Sequence, residues 1–123
     1  MAVPAESEHR SSLHAAISDM VVRITAEYTG RGPRRARTTI SDEWVFVTLS
    51  DILTKGERTL ASTGRAQFVR ETRKAFQDAM RDQMSRELEA LTGRRVIAFM
   101  SDNHIDPDLA IECFQLGPDG DGG

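Results

Sequence analysis

The stretch FVRETRKAFQDAMRDQMSRELEALTGRRVIAFMS, residues 68–101, decides the fold of this chain. Its apolar residues recur every three or four positions as far as Leu91, which is typical of an amphipathic helix, and follow a period of two after Gly93. The pattern predicts a helix over about 65–92, ended by Gly93 and followed at once by a strand. The predicted apolar side of the helix carries Phe68, Thr72, Ala75, Phe76, Ala79, Met80, Met84, Leu88 and Leu91.

The same order of periods occurs earlier in the chain. Helical spacing predicts a first helix over about 7–29, which Gly30 and Pro33 should end. Its apolar residues are Leu13, Ile17, Met20, Val21 and Ile24. The segments ARTTI and WVFVTLS then flank SDE, which predicts an antiparallel hairpin. Thr54 and Glu57 have capping-box spacing and predict a short helix, interrupted at Gly64.

A second hairpin is predicted where RRVIAFMS and LAIECFQL flank DNHIDPD. In its first strand the sequence alternates Val96, Ala98 and Met100 with Ile97 and Phe99; in its second, Leu109, Ile111 and Cys113 alternate with Ala110, Glu112 and Phe114. The order α-β-β-α-β-β, with a short extra helix before the long one, predicts an α+β two-layer sandwich in which two main helices cover a four-stranded antiparallel sheet. We expect a single domain over 1–116 and a disordered tail over 117–123.

Two helices can cover only one face of such a sheet. The large apolar residues Trp44, Phe46, Ile97, Phe99 and Phe114 do not all fit beneath them. Because an exposed apolar surface of that size is typical of an interface, we predict a homodimer in contact through the sheet face or the long helix. The alternative is that strand twist lets the helices and residues 50–63 cover most of this surface.

Composition indicates an ordinary soluble protein. The 123 residues carry a formal net charge of −3, with 28% charged and 39% hydrophobic residues, which argues against binding a long nucleic acid. Cys113 is the one cysteine, as expected in a reducing compartment. No apolar run approaches the ~20 residues of a membrane span, and the first ten residues lack the apolar core of a signal peptide. We expect a cytoplasmic location without membrane insertion.

Positive charge is concentrated in GRGPRRAR, residues 30–37. The candidate binding residues for an anion or an acidic partner are Gly30, Arg31, Gly32, Arg34, Arg35 and Arg37. Guanidinium groups offer paired donors to carboxylate, bicarbonate or phosphate, and glycine allows close backbone approach. A structural alternative is equally direct: the arginines offset the negative end of the first helix and pair with Glu27 or Asp51.

Other clusters give weaker signals. Asp102, His104 and Asp106 alternate as metal ligands could, but Pro107 stands where a calcium loop needs glycine, so we predict no metal site. Further candidates with ordinary structural explanations are Arg65, Arg70 and Arg73 near the start of the long helix, Cys113 as a packed apolar residue, and His9 and His14 on different faces of the first helix. No catalytic or cofactor motif is recognisable, so we predict no catalytic residue and no cofactor.

Three blocks carry a family resemblance. YTGRGPRRART, LTKGERTLASTGRAQFVRETRKAFQDAM and LTGRRVIAFMSDNHIDPDLAIECFQL, in this order and within about 10–116, resemble the MpsC family of small soluble bacterial proteins. That family is associated with sodium-translocating, membrane-potential-generating systems and with complexes that take up inorganic carbon. The resemblance implies a cytoplasmic accessory protein near a cation- or bicarbonate-handling membrane complex, and it carries over no catalytic residue.

Two functional hypotheses follow. In the first, a non-catalytic, dimeric accessory or regulatory protein uses the arginine segment to bind an acidic partner or a small anion. In the second, a small enzyme or carrier clamps an anionic metabolite with Arg35 and Arg37, which would require a general acid or base beside them. Nucleic-acid binding on the sheet ranks last, because few basic residues lie among Trp44, Phe46 and Phe99.

Overall fold

The computed structural model describes the backbone of residues 5–118 and the side chains of residues 12–118. Its elements are α1 (Ala5–Thr29), β1 (Arg35–Ser41), β2 (Trp44–Ser50), α2 (Lys55–Leu60), α3 (Ala66–Thr92), β3 (Val96–His104) and β4 (Leu109–Leu116). The predicted α+β class and the order of its elements are confirmed. The side chain of His9 and residues 119–123 of the predicted tail lie outside the described residues.

The four strands form one sheet in the order β1-β2-β4-β3, and every neighbouring pair is antiparallel. Both long helices pack on the same face, here called the inner face, with α1 against β1 and α3 against β3. The core between the layers consists mainly of Ile17, Met20, Val21, Ile24, Val45, Val47, Leu49, Val69, Met80, Met84, Leu88, Phe114 and Leu116. Burial of each such side chain contributes about 1.5–3 kcal/mol, so the inner face accounts for most of the stability.

The connection into α3 follows the local signals of the sequence. The Thr54 hydroxyl accepts a hydrogen bond from the Glu57 amide at 3.1 Å, and the Glu57 carboxylate accepts one from the Thr54 amide at 2.8 Å, which completes the predicted capping box of α2. Gly64 has a φ of 90° within the turn Ala61–Arg65, where the helix axis changes direction before α3. Only glycine adopts such a φ without strain, which explains the predicted interruption.

The predicted apolar side of α3 is wrong over its first turns. Phe68 is 56% exposed, whereas Val69, Arg73 and Gln77 are buried together with Met80, Met84 and Leu88. Both polar residues have partners: Arg73 lies 3.4 Å from the partly buried Glu57, and Gln77 donates to the buried Glu112 on β4. The direction in which α3 leaves the kink at Gly64 therefore determines its buried side, and apolar spacing alone does not.

The predicted alternation along β3 is also wrong, because a bulge interrupts it between Val96 and Ala98. Phe99 pairs with Phe114 on the inner face, with ring centroids 4.9 Å apart, and Phe114 is fully buried. These two aromatic residues therefore pack with the core and do not contribute to the uncovered apolar surface predicted from the sequence. Ile97 stays 57% exposed at the bulge.

Candidate functional site

The candidate site is the outer face of the sheet, opposite α1 and α3. Among residues 12–118, no helix packs against this face. Its centre is apolar: Trp44 and Phe46 stack with ring centroids 6.1 Å apart, and Ile111 and Leu109 follow on β4. Met100, on β3, is 52% exposed. The face therefore offers a continuous apolar centre, with different charges at its two edges.

Arg35 and Arg37 form the basic strip along the β1 edge of the outer face. Alternation along β1 exposes both residues and directs Ala36 and Thr38 inward. Neither guanidinium makes a hydrogen bond or an ion pair within residues 12–118, and beside them on β2 lie Ser50 and Thr48. Two arginines on one strand face lie about 7 Å apart, so they can bind one extended acidic group or two neighbouring ones.

The other predicted arginines have structural partners. Arg31 donates to the backbone carbonyls of Asp51 and Leu53, both at 2.8 Å, and to the Asp51 carboxylate at 3.3 Å. Arg34 lies 3.7 Å from the same carboxylate, which also pairs with Arg58. Burial raises the pKa of Asp51, but the hydrogen bond from Arg31 and these cationic neighbours outweigh that effect and hold its pKa below the usual value. Asp51, a partner predicted under the structural alternative, thus pairs with two of the four arginines, Arg31 and Arg34.

Gly30 and Gly32 allow the backbone to turn from α1 into β1. Gly30 has a φ of 83°, and its amide donates to the Ala26 carbonyl at 2.9 Å, which ends α1. A methyl group on Gly32 would lie 3.3 Å from a methyl of Val22, so close packing against α1 favours glycine there. The segment is therefore a tight helix-to-strand connection that places the basic strip on the sheet.

The opposite edge of the outer face carries Asp102 and His104 on β3. A carbonyl oxygen can only accept a hydrogen bond. His104 Nδ1, which lies 2.9 Å from the Pro107 carbonyl oxygen, is therefore the donor. Asp106 lies in the turn after β3 and does not form a cluster of possible metal ligands with Asp102 and His104. Within the described part of the chain, no three His, Cys, Asp or Glu side chains are grouped as a metal site would require.

The candidate arginines near the start of α3 also differ in burial and in their partners. Arg73 is buried against Glu57, whereas Arg70 is exposed and donates to Gln67 at 3.1 Å. Arg65 lies in the turn before α3. Cys113 is buried, and burial raises the pKa of its thiol, as expected of a packed residue rather than a nucleophile.

The most unusual ionisable group of residues 12–118, Glu112, was not predicted as a site residue from the sequence. Glu112, on β4, points inward and is only 1% exposed. Gln77 Nε2 donates to its Oε2 at 3.1 Å, and Asn103 Nδ2 donates to Gln77 Oε1 at 2.7 Å. The other carboxylate oxygen, Oε1, has no hydrogen-bond partner among the described residues. The one signal in the sequence was that Glu112 shares a strand face with the apolar residues Ala110 and Phe114, which predicts a buried carboxyl.

Burial raises the pKa of Glu112 to about 7, and the Gln77 hydrogen bond and the charges of Lys74 and Arg73 offset only part of that effect. Glu112 therefore changes its charge near neutral pH. Glu112 lies on the inner face of the sheet, where its neighbour on β2 is the buried Val47, whereas the basic strip lies on the outer face. The sheet separates this titratable carboxyl from Arg35 and Arg37.

These features define a class: an α+β sandwich protein with one open sheet face, apolar in the centre and oppositely charged at its edges. No helix in the described part of the chain combines the length and apolar character that crossing a bilayer requires. Residues 9–117 match the family described as Na+-translocating membrane potential-generating system (MpsC). The chain belongs to the MpsC family, and the resemblance found in the sequence is confirmed.

One curated relative supports this assignment without adding an activity. The uncharacterized protein YrhF of Bacillus subtilis strain 168 is 26% identical over 99 residues, which are 79% of this chain and 81% of that protein. No solved structure gives a significant match. Family membership connects the chain with a membrane-potential-generating system, and its own residues must indicate its part in that system.

Proposed function

We propose that this chain is a non-catalytic, cytoplasmic accessory protein of a Na+-translocating membrane potential-generating system. In this proposal it acts as a homodimer and binds an anionic group, either a small anion or an acidic protein surface, at the basic strip. The observation that carries the proposal is the exposure of Arg35 and Arg37, without partners among residues 12–118, beside a large apolar area. Family membership supplies the cellular context.

The surroundings of the basic strip favour a protein partner over a free anion. Exposed arginines in water contribute little, about 0–1 kcal/mol for each ion pair. A partner that also covers Trp44 and Phe46 excludes water, which strengthens the ion pairs, and adds about 25 cal/mol for each Å² of apolar surface removed from water. Charge would then orient the partner while apolar contact supplies most of the affinity.

The alternative, a small enzyme or carrier, needs a general acid or base within reach of the bound anion. The carboxyl with the raised pKa, that of Glu112, lies on the inner face and cannot contact a ligand held by Arg35 and Arg37. The nearest polar neighbours of the strip, Thr48 and Ser50, are hydroxyl groups on β2. This arrangement supports binding rather than catalysis.

The binding test compares the wild type with an Arg35→Ala/Arg37→Ala double variant. Titrations with bicarbonate, inorganic phosphate and a short polyglutamate peptide, followed by amide chemical shifts, should show that at least one anion binds at β1 and that the double variant loses it. The matched control is Arg86→Ala, because Arg86 is exposed on α3 and lies in the helical layer. Equal binding by the double variant would refute the role of the basic strip.

A cellular test addresses the accessory role. Cells lacking the gene should show a reduced membrane potential with a voltage-sensitive dye, and the wild type should restore it. The double variant should restore it poorly, while Arg86→Ala should act like the wild type. An unchanged membrane potential in the deletion strain would contradict the accessory role, whatever the outcome of the binding titrations.

A further inference from the structure

We infer that the acidic group bound by the basic strip is Asp102 of a second copy of this chain, in a face-to-face dimer whose two-fold axis runs parallel to the strands between β2 and β4. The inference rests on the proposed binding role of Arg35 and Arg37 and names their partner. It also selects the sheet face over the long helix as the dimer contact.

The register of the sheet carries this inference. Residues that are register partners on successive strands form a row across the outer face. One such row consists of Arg37 on β1, Thr48 on β2, Ile111 on β4 and Asp102 on β3. The basic residue and the acidic residue thus stand at the two ends of one row. Three strand spacings of about 4.8 Å separate their backbones, so the two side chains cannot pair within one copy.

A two-fold axis parallel to the strands brings these ends together. It exchanges the two edges of the sheet but leaves the position along the strands unchanged, so β1 of one copy faces β3 of the other. Arg37 then lies opposite Asp102 of the second copy, and the symmetric pair forms at the other edge. Packed sheets lie about 10 Å apart, a gap that an arginine and an aspartate side chain can bridge from opposite sides.

The neighbouring row is compatible with the same axis. It contains Arg35, Ser50, Leu109 and His104. Because His104 Nδ1 donates to the Pro107 carbonyl, Nε2 is the ring nitrogen left to accept a hydrogen bond from Arg35 of the other copy when the ring is neutral. Each guanidinium of the basic strip therefore meets an acceptor across the interface.

The other in-plane axis, perpendicular to the strands, gives an unfavourable arrangement. It places β1 against β1 and β3 against β3, so that four arginines meet at one edge and the two Asp102 carboxylates at the other. Like charges that face each other without compensation oppose association. The charge pattern therefore selects one of the two face-to-face arrangements.

The apolar centre completes the interface. Under the strand-parallel axis, the Phe46 and Cys113 row of one copy lies against the same row of the other, with Thr39 opposite Met100 at the edges. Face-to-face sheets cross at about 30° because of their twist, which displaces side chains at the edges by no more than about one residue. The dimer would cover the apolar area that the helices leave open.

The test is a charge exchange read out by oligomeric state. Sedimentation velocity over a range around tens of micromolar should show a wild-type dimer. Arg37→Asp and Asp102→Arg should each raise its dissociation constant at least about tenfold, and the double variant should return to within about threefold of wild type, since the exchange restores opposite charges. Asp102→Asn should weaken the dimer without introducing a repulsive charge.

Two substitutions distinguish the sheet face from the helical layer. Met100→Lys places a charge on the outer face beside the apolar centre and should dissociate the dimer, whereas Phe68→Lys, at a similarly exposed residue of α3, should not. Circular dichroism of each variant checks that the fold is intact. A monomeric wild type, a dimer sensitive only to Phe68→Lys, or a double variant no better than its parents would overturn the inference.

The outcomes separate this inference from the proposed function. A monomer that loses binding of bicarbonate, phosphate or polyglutamate on Arg35→Ala/Arg37→Ala keeps the basic strip as a binding site and removes only the second copy as its partner. A dimer that obeys the charge exchange, combined with unchanged membrane potential in the deletion strain, keeps the interface and removes the accessory role.

Discussion

Replacing Glu112 with glutamine should stabilise this protein at pH 8 and do so much less at pH 5. Glutamine keeps the size of the side chain and an oxygen that can accept the hydrogen bond from Gln77, now 3.1 Å from Glu112 Oε2. It removes the negative charge that the wild type must bury once the carboxyl ionises. The variant therefore resembles the protonated wild type at every pH.

The magnitude follows from the pKa of Glu112, which rises from the usual 4.5 to about 7 in the folded protein. Each unit of pKa corresponds to about 1.4 kcal/mol, so ionised Glu112 costs the folded state roughly 3 kcal/mol relative to the protonated form. Between pH 4.5 and about 7 the folded state binds more protons than the unfolded state, and the free energy of unfolding of the wild type falls as pH rises. Below that window the cost is absent, and above it the cost is complete.

The assay is urea denaturation of wild type and Glu112→Gln at half-unit intervals from pH 5 to pH 8, with the difference in unfolding free energy plotted against pH. The difference cancels the titration of other carboxylates and should grow by roughly 2.5 kcal/mol between pH 5 and pH 8. Glu71→Gln, the same exchange at an exposed residue of α3, is the matched control for the substitution itself. A flat difference for Glu112→Gln, or one that grows toward acid, would refute the assignment of a raised pKa.

Three further substitutions test local features by thermal or urea denaturation. Thr54→Ala removes the hydroxyl that caps α2 and should cost about 1 kcal/mol, an effect that would be absent if the capping box were unimportant. Gly93→Ala forces alanine to adopt a φ of 70° at the end of α3 and should cost about 1 kcal/mol, whereas Gly56→Ala, in an ordinary conformation, should cost less. Asp51→Asn should lower stability at pH 7, with a loss that shrinks as pH falls and the wild-type carboxyl protonates.

Local signals in the sequence were sufficient for the order and type of the elements. The capping box at Thr54 and Glu57, the break at Gly64 and the helix end at Gly93 each depend on a few neighbouring residues, so they could be predicted from the sequence and the structure confirms them. Both faces of β2 carry large apolar residues, so the sequence did not say which face points inward; the structure buries Val45, Val47 and Leu49.

The site could be predicted only in part. The sequence located the arginines but could not separate Arg31, which is fixed by backbone carbonyls and Asp51, from Arg35 and Arg37, which are free of partners within residues 12–118. The bulge at Ile97 and the direction of α3 after its kink also depend on packing between distant segments. Apolar spacing therefore assigned Phe68 and Phe99 to the wrong surfaces.

By itself, the sequence determined that this chain folds as two helices over two hairpins and that it carries a local excess of arginine, because short-range periodicity and composition encode both properties. Only the tertiary structure decided which arginines stay available, which row of the sheet joins Arg37 to Asp102, and that Glu112 lies buried beneath α3. Those properties depend on strand register and helix rotation, which arise from contacts between residues far apart in the chain.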